Sequence, residues 1–139
     1  MNESGHRDDP RDRAAGRGLR HVFVDGLELM ASVGVFEVEH RYEQRILVSV
    51  GLEVLDDYDG TSDRLDQVLD YGTIVEACRR IVDRAHYNLI ETLAERIADA
   101  VLLDARVHCV RIRIEKPDIV AGCRAVGIGI ERRRGGGSG

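Results

Sequence analysis

Apolar and polar residues alternate along several stretches of this chain, and a period of two predicts half-buried β-strands. Such stretches are residues 27–31, 46–54, 110–116 and 126–130. Parity carried along the third stretch places Lys116 on the same face as Ile112 and Ile114. Pro117 should end that strand, because proline has no N–H to donate to the ladder. Gly127 and Gly129 fall on the outer face of the last strand, where another backbone can approach closely.

Two amphipathic helices are predicted between the second and third strands, because apolar residues there recur three and four positions apart. The first stripe comprises Tyr71, Ile74, Val75, Cys78, Ile81, Val82 and Ala85. The second comprises Ile90, Leu93, Ala94, Ile97, Ala98 and Val101. Asp70 is the expected N-cap of the first helix, and Glu37 to Glu43 reads as a charged loop. The predicted class is α+β, an antiparallel ββααββ sheet with two helices on one face.

The chain divides into a single domain with two short tails. Residues 1–20 are rich in Arg and Asp among Gly, Pro and Ala, a composition typical of a disordered tail. Residues 135–139 have the composition of a flexible Gly/Ser linker. The domain is therefore predicted to cover residues 21–134, and the 139-residue chain is long enough for one core.

Charge and cysteine content exclude several classes of function. A net charge of −5, with the one basic run at Arg132–Arg134, disfavours nucleic-acid binding. Three cysteines without CxxC or Cys/His spacing disfavour disulfides and a zinc site, and His40, His86 and His108 share no ligand spacing. No apolar run approaches a membrane span, and the N-terminus does not resemble a signal peptide. We expect a cytoplasmic protein without metal or cofactor.

Four polar residues are candidates for chemistry, each with a plainer alternative. Glu91 either completes a capping box with Asn88 or offers two carboxylate oxygens to a ligand. Lys116 is either a rim lysine that reaches water or a paired, functional group. Tyr71 is either a core residue with an exposed hydroxyl or a proton-transfer group. Glu39 is either solvated or part of a site, and Cys78 is expected in the core.

Four blocks of the sequence, in order and in register, resemble the dihydroneopterin aldolase family. They are Val33–Glu39 with Glu43-Gln44; Ser62-Asp63 with Leu69–Ile74; Asn88–Ala98; and Val110–Pro117 with Val126–Ile128. The resemblance implies the tunnelling fold, in which subunits join their sheets into an oligomeric barrel. It also implies a homo-oligomer, a tetramer or a homo-octamer of two stacked rings, with active sites between subunits.

Site residues follow from the same resemblance, position by position. Glu91 matches the glutamate that anchors the pterin, with backbone contacts near Leu89 and Ile90. Lys116 matches the catalytic lysine, and Glu39 matches a glutamate near the side-chain hydroxyls of the substrate. Tyr71 matches a tyrosine contributed by the adjacent subunit, with Leu69 beside it. The chain departs from many relatives at Val33, where they carry histidine, and after Pro117, where they are richer in proline.

The resemblance implies metal-independent retro-aldol cleavage of 7,8-dihydroneopterin in folate biosynthesis. A 2′-epimerase acting on dihydroneopterin triphosphate is the nearest alternative, with Arg41 and Arg45 as candidate phosphate ligands. Epimerisation can also accompany the aldolase reaction. A non-catalytic pterin-binding oligomer is a second alternative, which the joint presence of Glu91, Lys116 and Tyr71 disfavours. A zinc-dependent enzyme of the same fold, such as a pyruvoyltetrahydropterin synthase, is disfavoured because a histidine cluster is missing.

Overall fold

A four-stranded antiparallel sheet with two long helices on one face forms the protein, as predicted. The computed structural model describes residues 19–135. The elements are β1 (Leu19–Ala31), α1 (Glu37–Arg41), β2 (Gln44–Leu55), a 3-10 turn (Leu65–Gln67), α2 (Tyr71–Arg84), α3 (Ile90–Val101), β3 (Val107–Lys116) and β4 (Val126–Arg133). The strands lie in the order β1-β2-β3-β4, and every neighbouring pair is antiparallel.

The alternation of β2 is confirmed, because Ile46, Val48, Val50, Leu52 and Val54 are all at most 1% exposed. The stripes of α2 and α3 cover this face and complete one hydrophobic core, although Tyr71 and Ala85 at the ends of the predicted first stripe are exposed. Asp70 caps α2 as predicted, since its side chain accepts a hydrogen bond from Gly72 N at 2.8 Å. The outer face of the sheet carries charged side chains instead, joined by ion pairs such as Arg111–Glu131 at 2.9 Å.

Two predicted elements need correction. Strand β1 begins at Leu19, well before the predicted strand of residues 27–31, and Arg20 forms an ion pair with Asp56 at 3.2 Å that fixes this end. The remaining predicted tail residues, 1–18 and 136–139, lie outside the described part of the chain. The predicted loop from Glu37 to Glu43 contains the short helix α1, which the charge content of the segment concealed.

The two edge strands have a long unpaired side in the isolated chain. β1 spans 13 residues and β4 spans 8, and each pairs on one side within residues 19–135. Natural proteins usually cover, shorten or charge such edges. No helix in residues 19–135 is long and apolar enough to cross a membrane.

Candidate active site

Lys116 and Glu39 form a buried ion pair. Lys116 is the last residue of β3, and its Nζ lies 3.1 Å from Glu39 Oε2. The two side chains are only 15% and 7% exposed. Glu39 is therefore not a solvated glutamate, and Lys116 is paired and not a free rim lysine. Charges with this little exposure to water need a partner, and the two residues are partners of each other.

Glu39 has two further hydrogen-bond donors. The Phe36 N–H donates to Oε1 at 3.2 Å, and Gln44 Nε2 donates to Oε2 at 3.2 Å. Burial on its own raises the pKa of Glu39, but the hydrogen bonds from Gln44, Phe36 and Lys116 outweigh it and lower the pKa below its ordinary value of 4.5. Glu39 is thus ionised at neutral pH. Gln44 was not predicted as a site residue, since a glutamine that begins a strand carries no distinctive pattern.

Gly34 makes room for the Glu39 carboxylate. Its φ of +131° lies in the region that favours glycine. A Cβ built at Gly34 would overlap the carboxylate of Glu39. The Gly34 amide donates to the Tyr87 carbonyl at 2.9 Å, which fixes the turn against the segment between α2 and α3. Glycine is therefore required here for both conformation and space.

Glu91 lines the same cleft as Glu39 and Lys116. The cleft has a volume of about 430 Å³, and Leu89 and Ile90 also line it. That volume lies within the ordinary range for small-molecule sites. Its apolar lining residues are Val35, Phe36, Leu89, Ile90, Ile119, Val120 and Val126. A flat heterocycle would find apolar surface there together with charged groups.

The capping interpretation of Glu91 is wrong. Helix α3 begins at Ile90, its N-cap is Leu89, and no side chain caps it. Asn88 therefore lies one residue too early to cap the helix. Within residues 19–135, Glu91 forms no side-chain hydrogen bond and no ion pair. Its two oxygens remain available to a ligand that presents two adjacent donors, the geometry of a charge-assisted bidentate pair.

Tyr71 and Leu69 do not line this cleft. Tyr71 is the first residue of α2 and is 67% exposed, so it is not a core residue. Leu69 is 7% exposed and belongs to the hydrophobic core of its own chain. The structure thus brings together Glu39, Lys116, Glu91, Leu89 and Ile90, and leaves these two residues elsewhere. Their expected place in the site of a neighbouring subunit stays a prediction.

A larger concavity, of about 530 Å³, lies on the outer face of the sheet. Its charged lining residues are Asp25, Arg111, Arg113 and Glu131. Both arginines are paired, Arg111 with Glu131 and Arg113 with Glu115, each at 2.9 Å. The smaller cleft is the better candidate because it alone combines a buried ion pair with a carboxylate that residues 19–135 leave unpaired.

None of the cysteines or histidines of residues 19–135 lines the cleft that contains Glu39, Lys116 and Glu91. All three cysteines are free, and Cys78 lies in the core as predicted, where burial raises its pKa to about 11. Among residues 19–135, no three His, Cys, Asp or Glu side chains are grouped so as to hold a metal ion. His86 contacts the Gly34 turn, a placement that spacing along the sequence did not reveal.

The chain is similar to dihydroneopterin aldolases in both sequence and fold. The family model FolB, dihydroneopterin aldolase, matches residues 22–131. The dihydroneopterin aldolase of Bacillus subtilis is 34% identical over 116 residues, covering 81% of this chain and 97% of the relative. The Escherichia coli enzyme is 31% identical over 111 residues, covering 80% and 91%.

Solved structures agree with the sequence comparison. A Burkholderia dihydroneopterin aldolase bound to guanine superposes with a TM-score of 0.76 at 30% identity, covering 93% of this chain and 99% of that one. Escherichia coli dihydroneopterin aldolase in complex with neopterin superposes with a TM-score of 0.72 at 30% identity, covering 81% and 98%. By sequence and by fold, the chain belongs to the dihydroneopterin aldolase family and has its tunnelling fold.

Proposed function

We propose that this protein is an aldehyde-lyase of folate biosynthesis that cleaves 7,8-dihydroneopterin into 6-hydroxymethyl-7,8-dihydropterin and glycolaldehyde. The observation that carries the proposal is a single cleft holding both the Glu39–Lys116 pair and Glu91. A non-catalytic pterin-binding protein would need Glu91 but not the Glu39–Lys116 pair. A cytoplasmic location, expected from the sequence, is part of the proposal.

Glu91 is the proposed anchor for the pterin ring. The 2-amino group and the adjacent ring N–H of a pterin form a two-donor edge that matches a carboxylate. Guanine has the same edge, and the Burkholderia relative was solved with guanine bound. The backbone at Leu89 and Ile90, at the start of α3, offers further contacts, because the first N–H groups of a helix have no partner within it.

Lys116 is the proposed acid/base toward ring N5, acting through water. A base removes the proton of the 2′-hydroxyl, the C1′–C2′ bond breaks, and C2′ leaves as the aldehyde carbon of glycolaldehyde. The electron pair moves through C6 to N5, which takes a proton and leaves a C6=C1′ enamine. Protonation of C1′ and loss of the N5 proton then restore the C6=N5 imine and give the hydroxymethyl product. Because the ring imine accepts the electron pair, this route requires neither a protein Schiff base nor a metal ion. Glu39 would orient the hydroxylated side chain of the substrate or a bound water.

Tyr71 is the proposed proton shuttle at the 2′-hydroxyl, supplied with Leu69 by a neighbouring subunit. Its 67% exposure in the single chain suits a residue that completes another subunit's site. The unpaired sides of β1 and β4 would join across such an interface and extend the sheet into a barrel. A ring of four subunits, or two stacked rings forming an octamer, is the assembly that we propose.

Free dihydroneopterin is the proposed substrate, in preference to its triphosphate. The candidate phosphate ligands Arg41 and Arg45 are each paired already. Arg41 binds Glu37 at 2.8 Å, and Arg45 makes two hydrogen bonds to Asp118, at 3.1 and 3.2 Å. Neither pair contributes to the lining of the cleft. Epimerisation at C2′ would follow if C1′ re-adds to the opposite face of the glycolaldehyde carbonyl before glycolaldehyde is released.

Product analysis tests this proposal directly. Purified protein is incubated with dihydroneopterin and, separately, with dihydroneopterin triphosphate, each with and without EDTA. Hydroxymethyl-dihydropterin and glycolaldehyde in equal amounts from the unphosphorylated compound, undiminished by EDTA, support it. Turnover of the triphosphate alone would favour the epimerase, and tight pterin binding without turnover of either compound would favour the binding protein.

A further inference from the structure

His86 occupies a position that touches both ends of the turn carrying Glu39. It lies between α2 and α3, and its Nε2 is 2.8 Å from the carbonyl oxygen of Gly34. Its ring stacks on that of His40, with centroids 3.9 Å apart and an interplanar angle of 28°. Gly34 begins the turn and His40 directly follows Glu39. One side chain therefore spans the segment that presents the carboxylate.

The hydrogen bonds of His86 define its tautomer. A carbonyl oxygen can only accept, so Nε2 carries the proton and donates to Gly34. The Ser32 hydroxyl lies 2.6 Å from Nδ1 and donates to it when the imidazole is neutral. Both ring nitrogens are thus engaged, and the ring has one orientation. Two backbone hydrogen bonds of the next residue, Tyr87 N to Ser32 O at 3.0 Å and Gly34 N to Tyr87 O at 2.9 Å, fix the segment that bears it.

Any displacement of Gly34 would directly shift the carboxylate of Glu39. The Glu39 carboxylate packs against the Gly34 Cα, where no Cβ would fit. The carboxylate is also held by the Phe36 N–H, which belongs to the same turn. Gly34 carries no side chain that could anchor it, so the protein holds it through its backbone: the Tyr87 carbonyl accepts from its N–H, and His86 Nε2 donates to its carbonyl. His86 supplies the side-chain part of that hold.

We propose that His86 is a positioning residue for the aldolase reaction, which fixes the Gly34 carbonyl and thereby sets the Glu39 carboxylate against Lys116. The inference rests on the proposed function for its kinetic consequence, although the geometric consequence does not depend on it. His86 is not itself a lining residue of the cleft and is not a member of the ion pair, so it acts through Gly34 and the turn that follows it.

A pair of amide variants separates positioning from general packing. In His86→Gln the side-chain nitrogen reaches the place of Nε2 and can still donate to Gly34. In His86→Asn the shorter amide reaches the place of Nδ1 and loses Gly34, and both variants lose the stack on His40. We expect His86→Asn to lower kcat about tenfold to a hundredfold with KM little changed, and His86→Gln to retain most activity. Equal losses in both variants, following their loss of thermal stability, would overturn the inference.

A double-variant cycle and crystal structures complete the test. If His86 acts through Glu39, His86→Asn should add little to the kcat loss of Glu39→Gln, whereas independent effects would multiply and contradict it. A crystal structure of His86→Asn should show Glu39 Oε2 displaced from Lys116 Nζ, and an unchanged ion pair would also overturn it. Absence of turnover in the wild-type protein would instead count against the proposed function, and the crystal structures would still decide the role of His86.

Discussion

Lys116 Nζ lies 3.1 Å from Glu39 Oε2, although the two residues are 77 positions apart in the sequence. The sheet register brings them together. Leu47 in β2 pairs with Glu115 in β3, which places the end of β3 beside the start of β2, where α1 precedes it. The pair is buried at the edge of the cleft that Glu91 also lines. The proposed acid/base lysine is thus held in place by a carboxylate that also accepts from the Phe36 N–H and from Gln44.

Removing the lysine charge should slow the reaction more than it weakens binding. Lys116→Met keeps the length of the side chain and removes the ammonium group. General acid/base catalysis contributes roughly 10²–10⁴ to rate, so kcat should fall by about that factor while the dissociation constant for the pterin product changes little. Arg113→Met, on the outer face of the same strand and 69% exposed, is the matched control and should leave both unchanged. Full activity in Lys116→Met would remove lysine from the mechanism.

Removing the Glu91 carboxylate should weaken binding without loss of stability. Glu91 makes no cap on α3, so Glu91→Ala should leave the Tm within error of the wild type. Loss of a charge-assisted bidentate pair costs about 1.5–3 kcal/mol or more, which predicts at least a tenfold increase in Kd for a pterin, measured by calorimetry. Glu95→Ala, one turn later and paired with Arg132, controls for loss of a helix carboxylate and should bind normally. A lower Tm with unchanged Kd would restore the capping interpretation.

Two glycines with positive φ should respond differently to alanine. Gly34→Ala should lower kcat as well as stability, because the added Cβ overlaps the Glu39 carboxylate. Gly26→Ala, at the bulge in β1 with φ +71°, meets no atom within 4 Å and should cost only about 1–2 kcal/mol of backbone strain. Urea unfolding together with steady-state kinetics distinguishes them. Equal kcat in the two variants would contradict the close packing of Gly34 and Glu39.

The low pKa of Glu39 predicts a stability change at acid pH. Because its folded pKa lies below the ordinary value of 4.5, the contribution of Glu39 is fully present above that value and is lost as pH falls through the folded pKa. The free energy of unfolding of the wild type, minus that of Glu39→Gln, should therefore be constant near neutrality and decrease in the acid range. Urea titrations of both proteins measure this difference. A difference that increases toward acid pH would mean that burial dominates and the pKa is raised.

Much of the fold was predictable because it depends on periodicity. The inward face of β2 and the stripes of α2 and α3 follow from apolar spacing alone, and the same parity placed Lys116 inward. Helix α1 was missed because the five residues Glu37 to Arg41, only one of them apolar, form no apolar stripe. Its one buried residue, Glu39, is polar, so hydrophobic patterning gave no indication of it.

Several residues of the candidate site could be named from the sequence, but their contacts could not. The resemblance supplied Glu39, Glu91 and Lys116, but the ion pair between two of them depends on strand register and on the Gly34 turn. The support from Gln44 and His86 depends on long-range packing, which local spacing does not encode. The capping pattern Asn88-x-x-Glu91 failed because α3 begins one residue later than the motif requires.

Subunit complementation tests the proposed composite site most directly. Lys116→Met and Tyr71→Phe are each prepared alone, then unfolded and refolded together, with the same proteins mixed after separate assembly as the control. If each site takes Lys116 from one subunit and Tyr71 from its neighbour, random assembly leaves about a quarter of the sites with both groups intact. Activity of the co-refolded sample should then exceed that of the control mixture by about a quarter of the wild-type activity. Activity no higher than that control would show that the two residues do not meet across a subunit interface.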